Sequence, residues 1–337
     1  MKTSRLILFS FFITIASFTF AQTGSVRGFV YDKQTGEPII FTNVIIQNTQ
    51  FGNSTDVNGY FAISKIPKGD YVLRISFMGY EEKLIPITIK SNDVLLSLKI
   101  EIEPVSTMLK GVEISAERIA ARTESGVSIE KITSKEITQM PSIGGSADIA
   151  QYMQVLPGVI FTGDQGGQLY IRGGSAIQNK VLLDGMTIYN PFHSIGLFSV
   201  FETEIIRNAD VFTGGFGAKY GGRLSSVMDI TTRDGNLKTT HGKIGASTFG
   251  ANLLVEGPII KEDNSRDLSM SYLFTAKNSY LSQTSKTLYS YIDGTLPYDY
   301  LDLYGKITLR GSNGSKLNLF GFNFTDKVNQ KDLILNH

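Results

Sequence analysis

The chain carries three imidazoles, His193, His241 and His337, and no cysteine. Transition-metal sites draw on His and Cys ligands at short, fixed spacings. These histidines are scattered without such spacing, so no metal is expected. Without Cys there is no thiolate nucleophile and no disulfide framework. Gly215-Phe216-Gly217 followed by Gly221 has part of a dinucleotide fingerprint. That fingerprint must open a helix, whereas the residues from Leu224 to Thr232 read as a strand, so no cofactor is expected. These glycines are expected instead to let backbones pack closely. There is no Gly-x-Ser-x-Gly elbow, no Walker loop and no marked pair of catalytic carboxylates, so the chain is not expected to be an enzyme. Two charged residues beside glycines stand out, Arg172 with Gly173 and Asp184 with Gly185. Asp184 is expected to form a turn and Arg172 a salt bridge, in preference to direct ligand contact.

Elements must position these residues, and the bulk numbers bound them. The chain has 337 residues, enough for two or three domains. Lys and Arg total 32 against 31 Asp and Glu, a net charge of +1 that gives no case for a nucleic-acid partner. Glycine is frequent at 34, Tyr and Phe number 15 and 21, and Trp is absent, which favours strands and turns over helical bundles. Lys2 and Arg5 precede an apolar run that ends at Thr19-Phe20-Ala21. Residues 1–21 therefore read as an export signal, too short for a membrane span. No later segment reads as a membrane helix, so any membrane residence must use a β-barrel.

Residues 22–103 read as a β-sandwich. Short strands are expected at 26–31, 39–47, 60–63, 71–77, 84–89 and 94–100, separated by turn chemistry such as Asp56-Val57-Asn58-Gly59. A linker is expected over 104–125. Residues 126–236 read as α+β. Val127, Ile129 and Ile132 suggest a strand, and Thr133 with Glu136 fits a capping box. Ser146 is expected to cap a second helix whose apolar face is Ile149, Tyr152, Met153 and Leu156, ended by Pro157-Gly158. Two apolar arms around Asp184-Gly185 predict a tight hairpin over 181–188. Residues 237–337 alternate with period two, with strands expected near 241–248, 251–257, 268–278, 300–310 and 316–326, the weak signature of transmembrane β-strands. Met270, Tyr272, Phe274 and Ala276 fall on one face and Ser269, Ser271 and Thr275 on the other. A long connection over 279–299 and a short one over 311–315 suit an extracellular loop and a periplasmic turn.

Two sets of motifs resemble known families. Leu156-Pro157-Gly158-Val159, Leu169-Tyr170-Ile171-Arg172-Gly173-Gly174, Val181-Leu182-Leu183-Asp184-Gly185-Met186, Tyr220-Gly221-Gly222-Arg223-Leu224 and Val227-Met228-Asp229-Ile230-Thr231-Thr232 resemble, in order and spacing, the plug domain of TonB-dependent outer-membrane receptors. Upstream, Gly28-x-Val30-x-Asp32, Thr35-Gly36-x-Pro38, Thr55-Asp56-x-x-Gly59-x-Phe61, Gly69-x-Tyr71 and Met78-Gly79-Tyr80 resemble the carboxypeptidase-regulatory-like β-sandwich that precedes such receptors in Bacteroidota. Within the linker, Val112, Glu113, Ile114, Ser115 and Ala116 resemble a TonB box, the alternative being a plain linker strand.

The resemblance implies a mainly β chain: an Ig-like or prealbumin-like sandwich, an α+β plug, and the first strands of an antiparallel transmembrane barrel, truncated within it. It implies residence in the outer membrane, with the N-terminal domain and plug facing the periplasm. It also implies import of a scarce or large extracellular ligand (siderophore, cobalamin, glycan or peptide), with TonB as the energising partner and a surface lipoprotein as a further candidate partner. Pro157, Gly158, Arg172, Gly173, Asp184, Gly185, Tyr220, Gly221 and Gly222 become structural or gating positions. A surface sensor signalling through residues 22–103, and a soluble exported β-sandwich binding protein, stay open at this point.

Overall fold

The computed structural model describes residues 23–90, 95–105, 129–142, 147–162, 167–193, 196, 198–263, 266–288 and 298–328. It divides into two compact units, 1–32 with 38–119, and 33–37 with 120–337. The export signal at 1–21, most of the linker with the Val112 to Ala116 segment, Ser146 and His337 lie outside the described residues.

The first unit is a sandwich of two sheets. Strands β1 (Thr23–Asp32), β4 (Tyr60–Pro67) and β7 (Leu95–Ile102) form one in the order β4-β1-β7, with β1 parallel to β7. Strands β2 (Asn43–Ile46), β3 (Gly52–Ser54), β5 (Gly69–Ser76) and β6 (Lys83–Ile89) form the other in the order β3-β2-β5-β6. Alternate residues of both sheets meet between them: Val26 and Val30 from β1, Phe61 and Ile63 from β4, Leu73 and Ile75 from β5, all nearly inaccessible. The turn at 56–59 forms as its chemistry predicts. Asp56 Oδ1 accepts from the backbone N–H of Asn58 and Tyr60 at 2.8 and 2.9 Å, and Gly59 sits at φ +74°. Two of the quoted motifs meet in space, because Tyr80 donates its phenol hydrogen to Asp32 at 2.6 Å.

In the second unit, a five-stranded sheet has the order β12-β11-β14-β13-β8. Its strands are β8 (Ile129–Ile132), β11 (Asn179–Leu183), β12 (Met186–Ile188), β13 (Ile206–Phe212) and β14 (Ser226–Thr232). A small ribbon pairs β9 (Val159–Thr162) with β10 (Gln168–Ile171). Thr133 caps helix α1 (Ser134–Gln139) in the expected capping box with Glu136. Helix α2 (Ile149–Met153) is capped by Asp148, not Ser146, since Asp148 Oδ1 accepts from Ala150 N–H at 2.8 Å. Ile149 and Met153 enter the core as expected, while Tyr152 and Leu156 pack at its margin. The hairpin forms at its predicted place, with Leu183 opposite Met186 and positive φ at Asp184 (+48°) and Gly185 (+86°).

The period-2 region forms one antiparallel sheet in sequence order: β15 (His241–Ala246), β16 (Gly250–Ile260), β17 (Leu268–Ser279), β18 (Tyr298–Gly311) and β19 (Lys316–Val328). The turn after β18 closes tightly, Gly311 N–H donating to Ser315 O at 2.8 Å. The longer connection after β17 opens with helix α3 (Leu281–Leu288), which the sequence reading did not place.

The two faces of this sheet are inverted relative to a soluble protein. On β18, Tyr300, Asp302, Tyr304, Lys306, Thr308 and Arg310 are buried, while Leu301 on the opposite face is 39% exposed. On β17, Ser269, Ser271 and Thr275 are buried and Phe274 is 41% exposed. Ile244, Leu317 and Leu319 extend the exposed apolar face. The polar face is covered by the five-stranded α+β region. Leu254, Leu273 and Tyr304 join that region's own core, with Phe320, Phe322 and Phe324 packed against it.

Candidate functional site

The interface between the α+β region and the β15–β19 sheet, the wall against which it packs, is where the charged residues converge, and it starts from the predicted turn. Asp184 accepts from Thr232 N–H at 2.9 Å and from the Thr232 hydroxyl at 2.6 Å, which ties the hairpin to β14. Its Oδ2 also accepts from the Tyr304 hydroxyl at 2.8 Å and lies 3.8 Å from Lys306 Nζ, both on β18. The turn former is therefore also a contact to the wall.

Next along the chain, Asp234 is fully buried and has four cations around it: Arg207 at 3.0 Å, Lys306 at 3.4 Å, Arg310 at 3.5 Å and Lys316 at 2.7 Å. Arg207 comes from β13, Lys306 and Arg310 from β18, and Lys316 from β19. Burial alone would raise this carboxyl, but Arg207, Lys316 and Lys306 reverse that and hold it well below the usual carboxylate range. Beside it, Arg233 grips Glu256 of β16 through two nitrogens, at 2.5 and 2.9 Å. Such a fork has geometric specificity as well as charge.

A second tier lies toward the other end of the wall. Lys277 of β17 reaches Asp148 at 3.3 Å and donates to Ser199 O at 2.9 Å. Asp148 thus caps α2, accepts from Ser199 N–H at 3.1 Å and meets the wall. Glu202 is pushed above its ordinary value, mainly by burial and against the pull of Lys277.

The remaining expected positions are scattered over the same unit. Pro157 lies in the turn after α2, and Gly158 at φ +76° accepts from Arg172 N–H at 2.8 Å. Arg172 is exposed and itself at φ +48°, with Gly173 following at +79°. Tyr220 is buried, donates to Asp229 at 2.7 Å and packs against Phe212. Gly222 adopts φ +92°, and Gly221 O accepts from Lys180 Nζ at 3.0 Å. The expected close packing of glycines here is corrected: a Cβ at Gly215 or Gly217 would meet nothing within 4 Å, and one at Gly221 only Ala218 O at 3.8 Å, an ordinary contact. Gly215 and Gly222 serve their positive φ instead.

Sequence reasoning missed Asp148, His193, Lys277, Arg207 and Asp234. One signal was available: Lys306, Thr308 and Arg310 repeat on the polar face of a strand, which marks a wall built to meet charge.

Two regions of the chain match known families. Residues 26–114 match the family described as the CarboxypepD_reg-like domain, and residues 121–226 match the TonB-dependent Receptor Plug Domain. TonB-dependent receptor SusC of Bacteroides thetaiotaomicron is 28% identical over 244 residues, covering 69% of this chain and 23% of that protein. TonB-dependent transporter Oar of Myxococcus xanthus is 24% identical over 241 residues, covering 68% of this chain and 22% of that protein. Among solved structures, the ferric enterobactin receptor of Pseudomonas aeruginosa is similar at 19% identity and a TM-score of 0.42, over 61% of this chain and 34% of that one. The chain thus spans 23% and 22% of the length of these two curated relatives. Residues 121–226 thus carry a domain of the TonB-dependent receptor plug family, preceded over residues 26–114 by a domain of the CarboxypepD_reg-like family.

Proposed function

We propose that the chain works in a plugged outer-membrane importer energised by TonB. One observation carries this reading. The α+β domain sits on the polar face of a five-stranded antiparallel sheet whose opposite face exposes Ile244, Phe274, Leu301, Leu317 and Leu319. Apolar outward and polar inward is the pattern of a membrane barrel wall, and a large barrel needs its lumen filled if it is not to leak. No reaction is assigned to the chain. The plug is held by ion pairs and shared core, so opening a path needs work from outside. That work is assigned to TonB, pairing by strand addition with Val112, Glu113, Ile114, Ser115 and Ala116, where the main chain supplies affinity.

The test is Ile114→Pro in the receptor in its native membrane. Proline removes one backbone donor and fixes φ. Uptake is expected to fall to background while ligand binding at the cell surface stays near wild type. Undiminished uptake would refute the assignment of this segment.

A further inference from the structure

His193 lies in a plug loop and is 1% exposed. Its Nε2 is 2.9 Å from Asp302 Oδ2 on β18, and its Nδ1 is 2.5 Å from Asp326 Oδ1 on β19. The ring stacks on Tyr300 at 3.9 Å and 11°. The loop closes on itself around this residue: His193 N–H donates to Phe198 O at 3.0 Å, Gly196 N–H to His193 O at 2.7 Å, and Val200 N–H to Pro191 O at 3.1 Å. This contact stands apart from the Asp234 cluster. From Asp302 to Arg310 on β18 the chain advances eight residues, about 27 Å at a strand's rise.

A neutral imidazole donates from one nitrogen only, whereas the imidazolium donates from both. Two carboxylates on opposite edges of one ring are both satisfied only by the charged form. With a neutral ring, one carboxylate would face a lone pair at hydrogen-bond distance inside a buried site, which is costly. We propose that His193 is a pH-sensitive latch that fastens its plug loop to strands β18 and β19 when protonated and loosens it when neutral.

The surroundings have the right balance for a switch. Asp302 and Tyr300 face the ring from β18, Asp326 faces it from β19, and Lys277 of β17 opposes the charge. Burial works against the imidazolium, but the hydrogen bonds to Asp302 and Asp326 outweigh it, so the pKa lies above the ordinary 6.5. A raised folded value means the stabilisation is complete below 6.5 and is lost as pH rises through the folded pKa. The latch therefore closes in mild acid and opens in alkali.

The chain holds three histidines, so their ring signals can be separated by NMR in detergent micelles, with His193→Gln assigning one of them. His193 is expected to titrate above 6.5. Amide protection at His193, Gly196 and Val200, corrected for intrinsic exchange, is expected to fall over the same pH range. The fall should be about tenfold for each unit by which the midpoint exceeds 6.5. Asp326→Asn offers an amide that can serve a neutral ring, so its midpoint should drop and its loop protection lose the pH dependence. A wild-type midpoint at or below 6.5, protection that stays constant through the titration, or the same pH dependence in His193→Gln would each overturn the latch. Should His193→Gln fail to fold, the Asp326→Asn comparison decides alone.

Discussion

Tyr304 and Asp184 are joined by a 2.8 Å hydrogen bond between a wall strand and the two-residue hairpin turn of the plug. The bond makes the geometry of that turn serve two ends at once. Positive φ at Asp184 and Gly185 reverses the chain, and the same aspartate then reports to β18. Lys306 connects this contact to the Asp234 cluster, lying 3.8 Å from Asp184 and 3.4 Å from Asp234.

That linkage ranks two substitutions. Breaking a buried ion pair by removing one partner costs about 3–5 kcal/mol, because the other charge is left uncompensated. Asp234→Asn leaves four cations facing one another and should reach or exceed that range. Lys306→Met leaves Asp234 with three cations and should cost less. The measurement is the urea midpoint for loss of trypsin protection of the plug, which should fall further for Asp234→Asn than for Lys306→Met.

Acid should act through the same carboxylate. Asp234 is held below its ordinary value of 3.8. A depressed folded pKa gives stability that is fully present above the unfolded value and lost as pH falls through the folded one. Plug protection against pepsin, which cleaves in acid where trypsin does not, should therefore persist through pH 4 and fail only below it. In Asp234→Asn the loss below pH 4 should be shallower, since the largest acid-sensitive contact is already gone. An unchanged acid profile in that variant would place the sensitivity elsewhere.

Much of the fold was legible because its signals are local. The Asp184-Gly185 hairpin needs only a two-residue turn chemistry, and β15 to β19 need only a period of two. The plug and sandwich were legible through motif resemblance. Long-range partners were not. Nothing near Asp234 in sequence indicates Lys316 or Arg310, because their meeting depends on strand register across the wall. The cap of α2 shows the same limit. Ser146 and Asp148 are both good capping types, and Asp148 holds the cap while also accepting from Ser199 and pairing with Lys277. His193 looked isolated for the same reason, its two carboxylates lying on β18 and β19.

The junction between plug and wall depends on a missing side chain. A Cβ at Gly235 would lie 2.1 Å from Tyr272 O and 2.6 Å from Tyr272 C, both backbone atoms of β17. A strand backbone cannot yield as a side-chain tip can, so the junction must shift. Gly235→Val should displace Asp234 from its cations and lower the plug's urea midpoint as far as Asp234→Asn does. Gly215→Ala serves as the contrast for crowding, since a Cβ there meets nothing within 4 Å. It should cost only the strain of its φ of +73°, roughly 1–2 kcal/mol.

The outward face of the wall gives the last test. Leu319 is 68% exposed on β19, while its neighbour Asn318 points to the polar side, within 3.1 Å of Thr308 Oγ1. If the outward face meets hydrocarbon, Leu319→Arg should cost about 2–4 kcal/mol near the bilayer midplane, falling to about 0–1 near the interface. Asn318→Asp places its charge on the opposite face, beside a wall rich in cations, and should be nearly neutral. Each variant would be folded into lipid vesicles and its urea midpoint measured, then compared in detergent micelles. The Leu319→Arg penalty should be larger in vesicles, because a micelle deforms around a charge more readily than a bilayer does. Equal penalties for the two variants, in both media, would mean that this face meets water, and the membrane-wall reading would fall.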